Sequence, residues 1–307
     1  MFGIITIAQG EKRYVEMAKA LALSLIKTNP EIKRGVITDA TQQEFDGLYD
    51  IYIPYNESYG KGLNQKLYLD KYSPFEETLF IDADCLVVKS LNNMLTLCRN
   101  YTFVVFGGSI STDIWYMDVA AMCNKFNLSS IPLFNGGTYY FKNSSTTTCI
   151  YDKARELKAN YMENGFEIFR GSINEEPLIS VAMAINNTEA VEDDGIGMRT
   201  PIGILGPLQI DVLNNKCRFN KEGEIVEPAI MHFSGAYSAA FHYKRELAKL
   251  KAYNTVPFLG STFISFIINL IFNVPYITYI FFKRILKVLI RKERFDFSNS
   301  LPIFSNQ

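Results

Sequence analysis

Residues 78–88 read TLFIDADCLVV, an apolar run that closes on Asp82 and a second that opens after Asp84. The first run predicts a strand, because β-branched and aromatic residues suit a pleated, buried surface. Two carboxylates one residue apart repel each other, and burying either without a partner is costly. In a strand, Asp82 and Asp84 point to the same side, since side chains alternate with period two. At a strand end followed by a turn, both can face one crevice. A divalent cation is a natural partner. Mg²⁺ and Mn²⁺ take carboxylate oxygens, and a bound diphosphate supplies more. The plainer alternative is a solvated turn or a helix N-cap.

Outward from this stretch, strands and helices alternate. Residues 2–8, 35–38 and 49–53 read as strands, and 101–106 as a further one. Residues 13–27 carry Tyr14, Met17, Ala18, Leu21, Leu25 and Ile26 at helical spacing, and Asn29-Pro30 ends that helix. A helix over 63–69 precedes the acidic strand. The pattern implies an α/β fold: a mixed, mainly parallel sheet flanked by helices. Such sheets bind ligands at the carboxyl ends of their strands, where Asp39, Asp82 and Asp84 all fall. Residues 133–141 read as a turn running into an aromatic strand. Helices follow near 149–160 and 176–184. Residues 191–206 read as loops, and 229–235 as an apolar run ending on a turn.

The bulk numbers exclude several classes. The chain has 307 residues, 48% of them hydrophobic, which is enough for one large α/β domain. Net charge is −1, unevenly spread: residues 257–307 hold six Lys/Arg and two Asp/Glu, leaving 25 against 30 elsewhere. An acidic body argues against nucleic acid as a partner. A basic tail suits an anionic membrane surface. Five scattered cysteines without a CxxC imply reduced thiols and a cytoplasmic location, and two histidines leave little for a zinc site. The strand-like run starts at Phe2, so no secretory leader is expected. Neither GxGxxG nor GxxxxGK[ST] is present, which argues against dinucleotide and P-loop enzymes.

Four stretches in order carry a resemblance. Lys66-Leu67-Tyr68, a short connection and the strand ending in Asp82-Ala83-Asp84 resemble the nucleotide-sugar glycosyltransferases of the GT-A (Rossmann-like) fold. They are nearest to the glycogenin-like and lipopolysaccharide galactosyltransferase group, family 8. Ile5-Thr6-Ile7-Ala8, with Tyr14 shortly after, resembles the first strand and loop that hold the nucleotide base, and Asp39 at a strand end is a further candidate to contact the donor. Asn135-Gly136-Gly137 resembles the family's Asn-Gly-Gly motif before an aromatic strand. His232-Phe233-Ser234-Gly235 resembles its His-x-x-Gly motif. The likeness covers about residues 2–245.

It implies a metal-dependent hexosyltransferase with a nucleoside-diphosphate sugar donor, UDP-linked by preference, and a glycan or lipid-linked glycan acceptor in surface polysaccharide synthesis. Asp82, Asp84 and His232 would hold Mn²⁺ or Mg²⁺. Lys66 and Gly235 would lie near the donor. Asn174-Glu175-Glu176-Pro177 lies where the family carries an acceptor motif, making Glu175 and Glu176 candidate catalytic groups. The same residues also read as a helix start, with acids and Pro in the first turn. One departure stands out. The family motif continues to a Lys soon after its Gly, whereas Gly235 is followed by Ala236-Tyr237-Ser238. Lys244 and Arg245 come later as possible substitutes. The competing readings are a haloacid-dehalogenase-like phosphatase, with Asp193-Asp194 as its second acidic motif, and a non-catalytic membrane-attached sugar-nucleotide-binding protein.

Two domains are expected: 1–256 as the transferase and 257–307 as a membrane-associating helical tail. Residues 258–282 carry no charge, long enough to cross a bilayer. Basic residues flank them on both sides: Lys244, Arg245, Lys249 and Lys251 before, Lys283, Arg284 and Lys287 after. Asn273 and Pro275 interrupt the run, which predicts a re-entrant or interfacial pair of helices. Residues 281–294 pattern as a basic amphipathic helix on the cytoplasmic membrane surface.

Overall fold

The computed structural model describes residues 1–169, 171–192, 195 and 197–291. The chain forms two compact units: residues 1–22, 31–85 and 91–198 in the first, and 23–30, 86–90 and those from 199 onward in the second.

The first unit is built on a six-stranded sheet. Strands β1 (Phe2–Ala8), β2 (Lys33–Thr38), β3 (Ile51–Pro54) and β4 (Glu77–Ile81) run parallel in the order β3-β2-β1-β4. β9 (Thr138–Lys142) joins β4 antiparallel, and β6 (Phe103–Val104) completes the sheet antiparallel to β9. The sheet is therefore mixed and mainly parallel, as the alternating pattern implies. Helix α1 (Lys12–Thr28) buries Val15, Ala18, Leu21 and Ala22, spaced three and four apart, in this unit. The core includes Ile5, Leu67, Phe80, Phe103, Tyr139, Tyr151 and Leu178, all buried.

The remaining elements of this unit complete that core. They are α2 (Leu69–Tyr72), α3 (Asn92–Cys98), α4 (Val119–Phe126), α5 (Ser145–Ala159), α6 (Glu175–Ile185) and a small sheet of β7 (Phe106–Ile110), β8 (Ile131–Phe134) and β10 (Val191–Glu192).

Two expectations for this unit need correction. The strand expected over 101–106 is two strands, β6 and β7, in different sheets; at Val105 the chain leaves one for the other, and its carbonyl accepts from Val191 N at 2.9 Å. The helix expected over 63–69 is a 3₁₀ turn, Gly62–Tyr68, running into α2. Gln65 and Lys66 are both buried there, and their polar heads bond across the fold rather than to solvent. That anchoring favours a tight, short winding over a regular helix.

β5 (Cys85–Val87) contributes Leu86 and Val87 to the second unit. It shares a three-stranded sheet with β11 (Met198–Arg199) and β15 (Ile230–His232). Val88 N donates to Ala229 O at 2.7 Å beside them. A separate antiparallel sheet, β12 (Ile204–Asp211), β13 (Lys216–Lys221) and β14 (Glu224–Val226), occupies a region with no sequence-based expectation of strands.

Helices α7 (Phe241–Thr255) and α8 (Ser261–Arg291) complete the second unit. α8 is one continuous helix, not the expected pair broken at Asn273 and Pro275. Pro275 removes one backbone hydrogen bond, but contacts hold the helix on either side of it. Tyr276 stacks on Phe241 at 4.1 Å, Phe272 meets the same ring, and Arg245 donates to Asn273 at 3.3 Å. Arg245 and Lys249 are buried in α7, so they do not form part of a solvated basic flank. Arg284, Leu286 to Lys287 and Arg291 lie on α8, but their side chains fall outside the described residues, as does Arg294 altogether.

Candidate active site

The sheet register gathers the acidic and glycine motifs of the first unit at one edge. Ala8 pairs with Thr38, and Ile5 with Phe80, so β1, β2 and β4 end together. Because β9 runs antiparallel to β4, with Ile81 opposite Thr138, its amino end lies at that edge too. Thr6, Ala8, Asp39, Asp82, Asn135, Gly136 and Gly137 therefore all belong to the carboxyl edge of the parallel strands, where such sheets bind ligands.

Lys66 is the hub. It is 7% exposed, and its Nζ lies 2.7 Å from Asp82 Oδ2, 3.0 Å from Glu175 Oε1 and 3.0 Å from the Gly136 carbonyl. Asp82 is therefore stabilised within the protein, by a buried ammonium 16 residues upstream. Asp82 also fixes the glycine motif, donating its N–H to Gly137 O at 2.9 Å. Asp84 sits in the turn between β4 and β5, half-buried.

Glu175 and Glu176 open α6. Asn174 caps the helix, its Oδ1 accepting from Glu176 N at 3.2 Å, so the helix-start reading holds. The two acids are not only a helix start. Glu176 accepts the Gly136 N–H at 2.7 Å, and Glu175 accepts from Tyr139 OH at 3.5 Å. Burial pushes the Glu175 carboxyl up to about 7, with Lys66 opposing and Glu176 and Asp82 adding to the rise. Burial also raises Glu176, against the Gly136 N–H. Burial alone would lower the Lys66 ammonium, but Asp82 and Glu175 outweigh it and hold the group charged.

Gly136 is sterically required. A Cβ there would stand 2.6 Å from Tyr139 Oη and 2.8 Å from Glu175 Oε1. Two buried oxygens in this region, Thr6 Oγ1 and Glu175 Oε2, have no hydrogen-bond partner. Orphans of this kind are rare and mark places where a ligand or water belongs.

The other expected residues are placed more loosely. Asp39 is exposed and accepts the Gly10 N–H through both oxygens at 3.1 Å. Tyr14 is 36% exposed on α1 and accepts from Arg13 at 3.0 Å. Asn135 Oδ1 accepts from Gly137 N at 3.2 Å, closing the motif on itself. His232 ends β15 in the second unit, buried, and Gly235 opens a 3₁₀ turn just after it at a positive φ of 59°. Of the two suggested phosphate cations, Arg245 is taken up inside the second unit by Glu246 and the Ile210 carbonyl, while Lys244 is exposed. Asp193 and Asp194 lie outside the described residues. Tyr139 was missed by sequence reasoning, and its aromatic strand gave no sign that its hydroxyl serves an acid 36 residues on.

No protein-family model matches the chain, and no curated protein matches it. Solved structures do. An active-site mutant of LgtC is 14% identical, with 76% of this chain and 88% of that chain covered at a TM-score of 0.52. The galactosyltransferase LgtC in complex with donor and acceptor sugar analogues is also 14% identical, with 76% and 87% covered at a TM-score of 0.51. The chain therefore has the GT-A fold, and its resemblance to family 8 extends to the fold.

Proposed function

We propose that this chain is a glycosyltransferase moving a hexose from a nucleoside-diphosphate sugar, UDP-linked by preference, to a glycan or lipid-linked glycan acceptor. The observation that carries the reading is the cluster of Lys66, Asp82, Glu175 and Gly136 at the carboxyl edge of a GT-A sheet. A buried cation held beside an acidic pair, with orphaned oxygens nearby, is an arrangement suited to a charged ligand.

Asp82, Asp84 and His232 form the donor set of this reading. Two carboxylates and a neutral imidazole suit Mn²⁺ or Mg²⁺. Bound there, the cation would supply Lewis-acid neutralisation of the leaving diphosphate. His232 ends β15, buried in the second unit.

The chain's own residues do the rest. Lys66 holds Asp82 in place and contributes fixed positive charge near the departing phosphate. Thr6 and Ala8 line the nucleotide side of the edge, with Asp39 and Tyr14 beside them. Gly136 and Gly137, with Asn135 closing the turn onto Gly137 N–H, present backbone toward the sugar. Glu175 acts through Lys66 as a positioning residue. Glu176, half-buried, is the acid this reading assigns to the acceptor. Gly235 is the glycine assigned to the donor in this reading.

Residues 1–256 would form the catalytic body and 257–307 the attachment to the cytoplasmic membrane surface. α8 supports attachment through its exposed face. Phe263, Phe266, Leu270, Ile271, Val274 and Ile277 are all exposed there. Among the described residues, Ser261–Lys283 is the one helix long and apolar enough to cross a membrane, with mean hydropathy 1.7.

The test is calorimetric titration of UDP, with and without Mn²⁺, into the wild-type protein and Asp84→Ala. Metal-dependent binding that is lost in the variant is the expected outcome and justifies screening UDP-sugars. UDP binding in neither condition overturns the UDP-dependent form.

A further inference from the structure

We propose a second ligand site, in the second unit, that holds the phosphate of an anionic membrane lipid; it rests on the reading of α8 as a membrane-contacting helix. A cleft of about 380 Å³ opens between β12, β13 and α8. Lys89, Lys216, Arg218 and Arg245 line it against two carboxylates, Asp211 and Glu227, so its lining is net positive. Lys89 and Arg218 share Glu227 at 3.1 and 3.4 Å, and that acid is half exposed. Exposed pairs of this kind are weak and exchange readily for a phosphate. Arg245 is held at the back of the cleft by Glu246 at 3.0 Å and the Ile210 carbonyl at 2.9 Å, so the exchangeable cations are Lys89, Lys216 and Arg218.

The α8 wall points to the source of the phosphate. α8 docks on the second unit by a polar stripe. Thr262 donates to Asn214 at 3.3 Å, Ser265 to Asp211 at 2.8 Å, and Asn273 accepts from Arg245 at 3.3 Å. Asn269 continues that stripe, since residues three and four apart share a helix face. Asn269 and Asn273 line the cleft, and Asn269 Oδ1 is buried with no partner. It is an acceptor waiting for a donor, which a headgroup hydroxyl provides. The next positions round the helix are Phe266, Leu270 and Ile277, exposed by 59%, 46% and 64%. Cations and an orphaned acceptor thus stand directly beside an outward apolar face. A ligand with an anionic, hydroxylated head and a hydrocarbon tail matches both halves.

The experiment is vesicle co-sedimentation of the full chain with phosphatidylcholine, with and without phosphatidylglycerol. Three proteins are compared: wild type, Lys216→Gln/Arg218→Gln in the cleft, and Lys244→Gln/Lys251→Gln, which removes equal charge from exposed positions on α7. The expected result is a roughly tenfold loss of affinity for the anionic vesicles in the cleft variant only. Its binding to neutral vesicles should be unchanged. Equal losses in both variants overturn the site in favour of diffuse charge. An effect on inorganic phosphate binding in solution without one on vesicles overturns the lipid assignment. Failure of the wild type to bind either vesicle overturns the membrane reading itself, a different result from loss of headgroup preference alone.

Discussion

Lys66 in the first unit is 7% exposed and Lys249 in the second is 0% exposed, and each sits between two carboxylates. Lys249 meets Glu246 at 2.9 Å, one turn earlier on the same helix, and Asp211 at 3.4 Å. Glu246 is completed by Arg245 at 3.0 Å and by the Val212 N–H at 2.9 Å. That network is mostly local and satisfies its own members. Lys66 draws partners from three distant segments, one of which, Asp82, has a 20% exposed side chain. It also leaves Glu175 Oε2 without a partner. A buried charge whose surroundings are complete is structural; one whose surroundings are incomplete, at a sheet edge, awaits a ligand.

The sharpest way to break this comparison is to replace each lysine with methionine. Lys249→Met breaks a fully buried ion pair, leaving Glu246 with Arg245 and the Val212 N–H, and is expected to cost about 3–5 kcal/mol in urea unfolding. Lys66→Met should cost less, about 1–3 kcal/mol, because Asp82 reaches solvent and Glu175 can take up a proton. Equal costs would erase the distinction. Next comes Asp84→Ala. It should lower UDP-sugar turnover by about 10²–10³-fold, from kcat/KM, while shifting stability by no more than ~0.5 kcal/mol.

The two units should also respond to pH in opposite senses. Burial, with Arg245 and Lys249 adding, lowers His242 from 6.5 to about 4. Its stability contribution is full above pH 6.5 and is lost as pH falls toward 4, at about 1.4 kcal/mol per pH unit. Glu175 is raised, so its contribution is full below the ordinary carboxylate range and is lost as pH rises through about 7. His242→Gln should flatten the acid limb of a stability-against-pH curve, and Glu175→Gln the neutral limb. The smallest effect is Ser265→Ala, about 1 kcal/mol by thermal melting, from the lost bond to Asp211.

Much of the first unit was legible. β1, β2 and β4 are short β-branched runs between turn signals, and α1 has a clear 3.6-residue period. The Asp pair stood out because charge at the end of such a run demands a partner. The identity of that partner was not legible, since Lys66 and Glu175 meet across 109 positions and nothing local marks the contact. The β12–β14 sheet was missed although its strands alternate, with Leu208, Ile210, Cys217 and Phe219 buried between more exposed neighbours, because glycine and proline interrupt β12. The continuity of α8 was hidden for another reason: Pro275 is a helix breaker by local rule, and only packing against Phe241 overrides it.

Gly136 carries a consequence for genetics. A methyl group at this position runs into the Glu175 carboxylate and the Tyr139 hydroxyl at once. Gly136→Ala should therefore act as a conditional lesion rather than a simple loss. A selection for revertants should yield suppressors at 175 and 139, where Glu175→Asp withdraws the carboxylate by one methylene and Tyr139→Phe removes the hydroxyl. Suppressor spectra would then map the charge cluster without a ligand in hand.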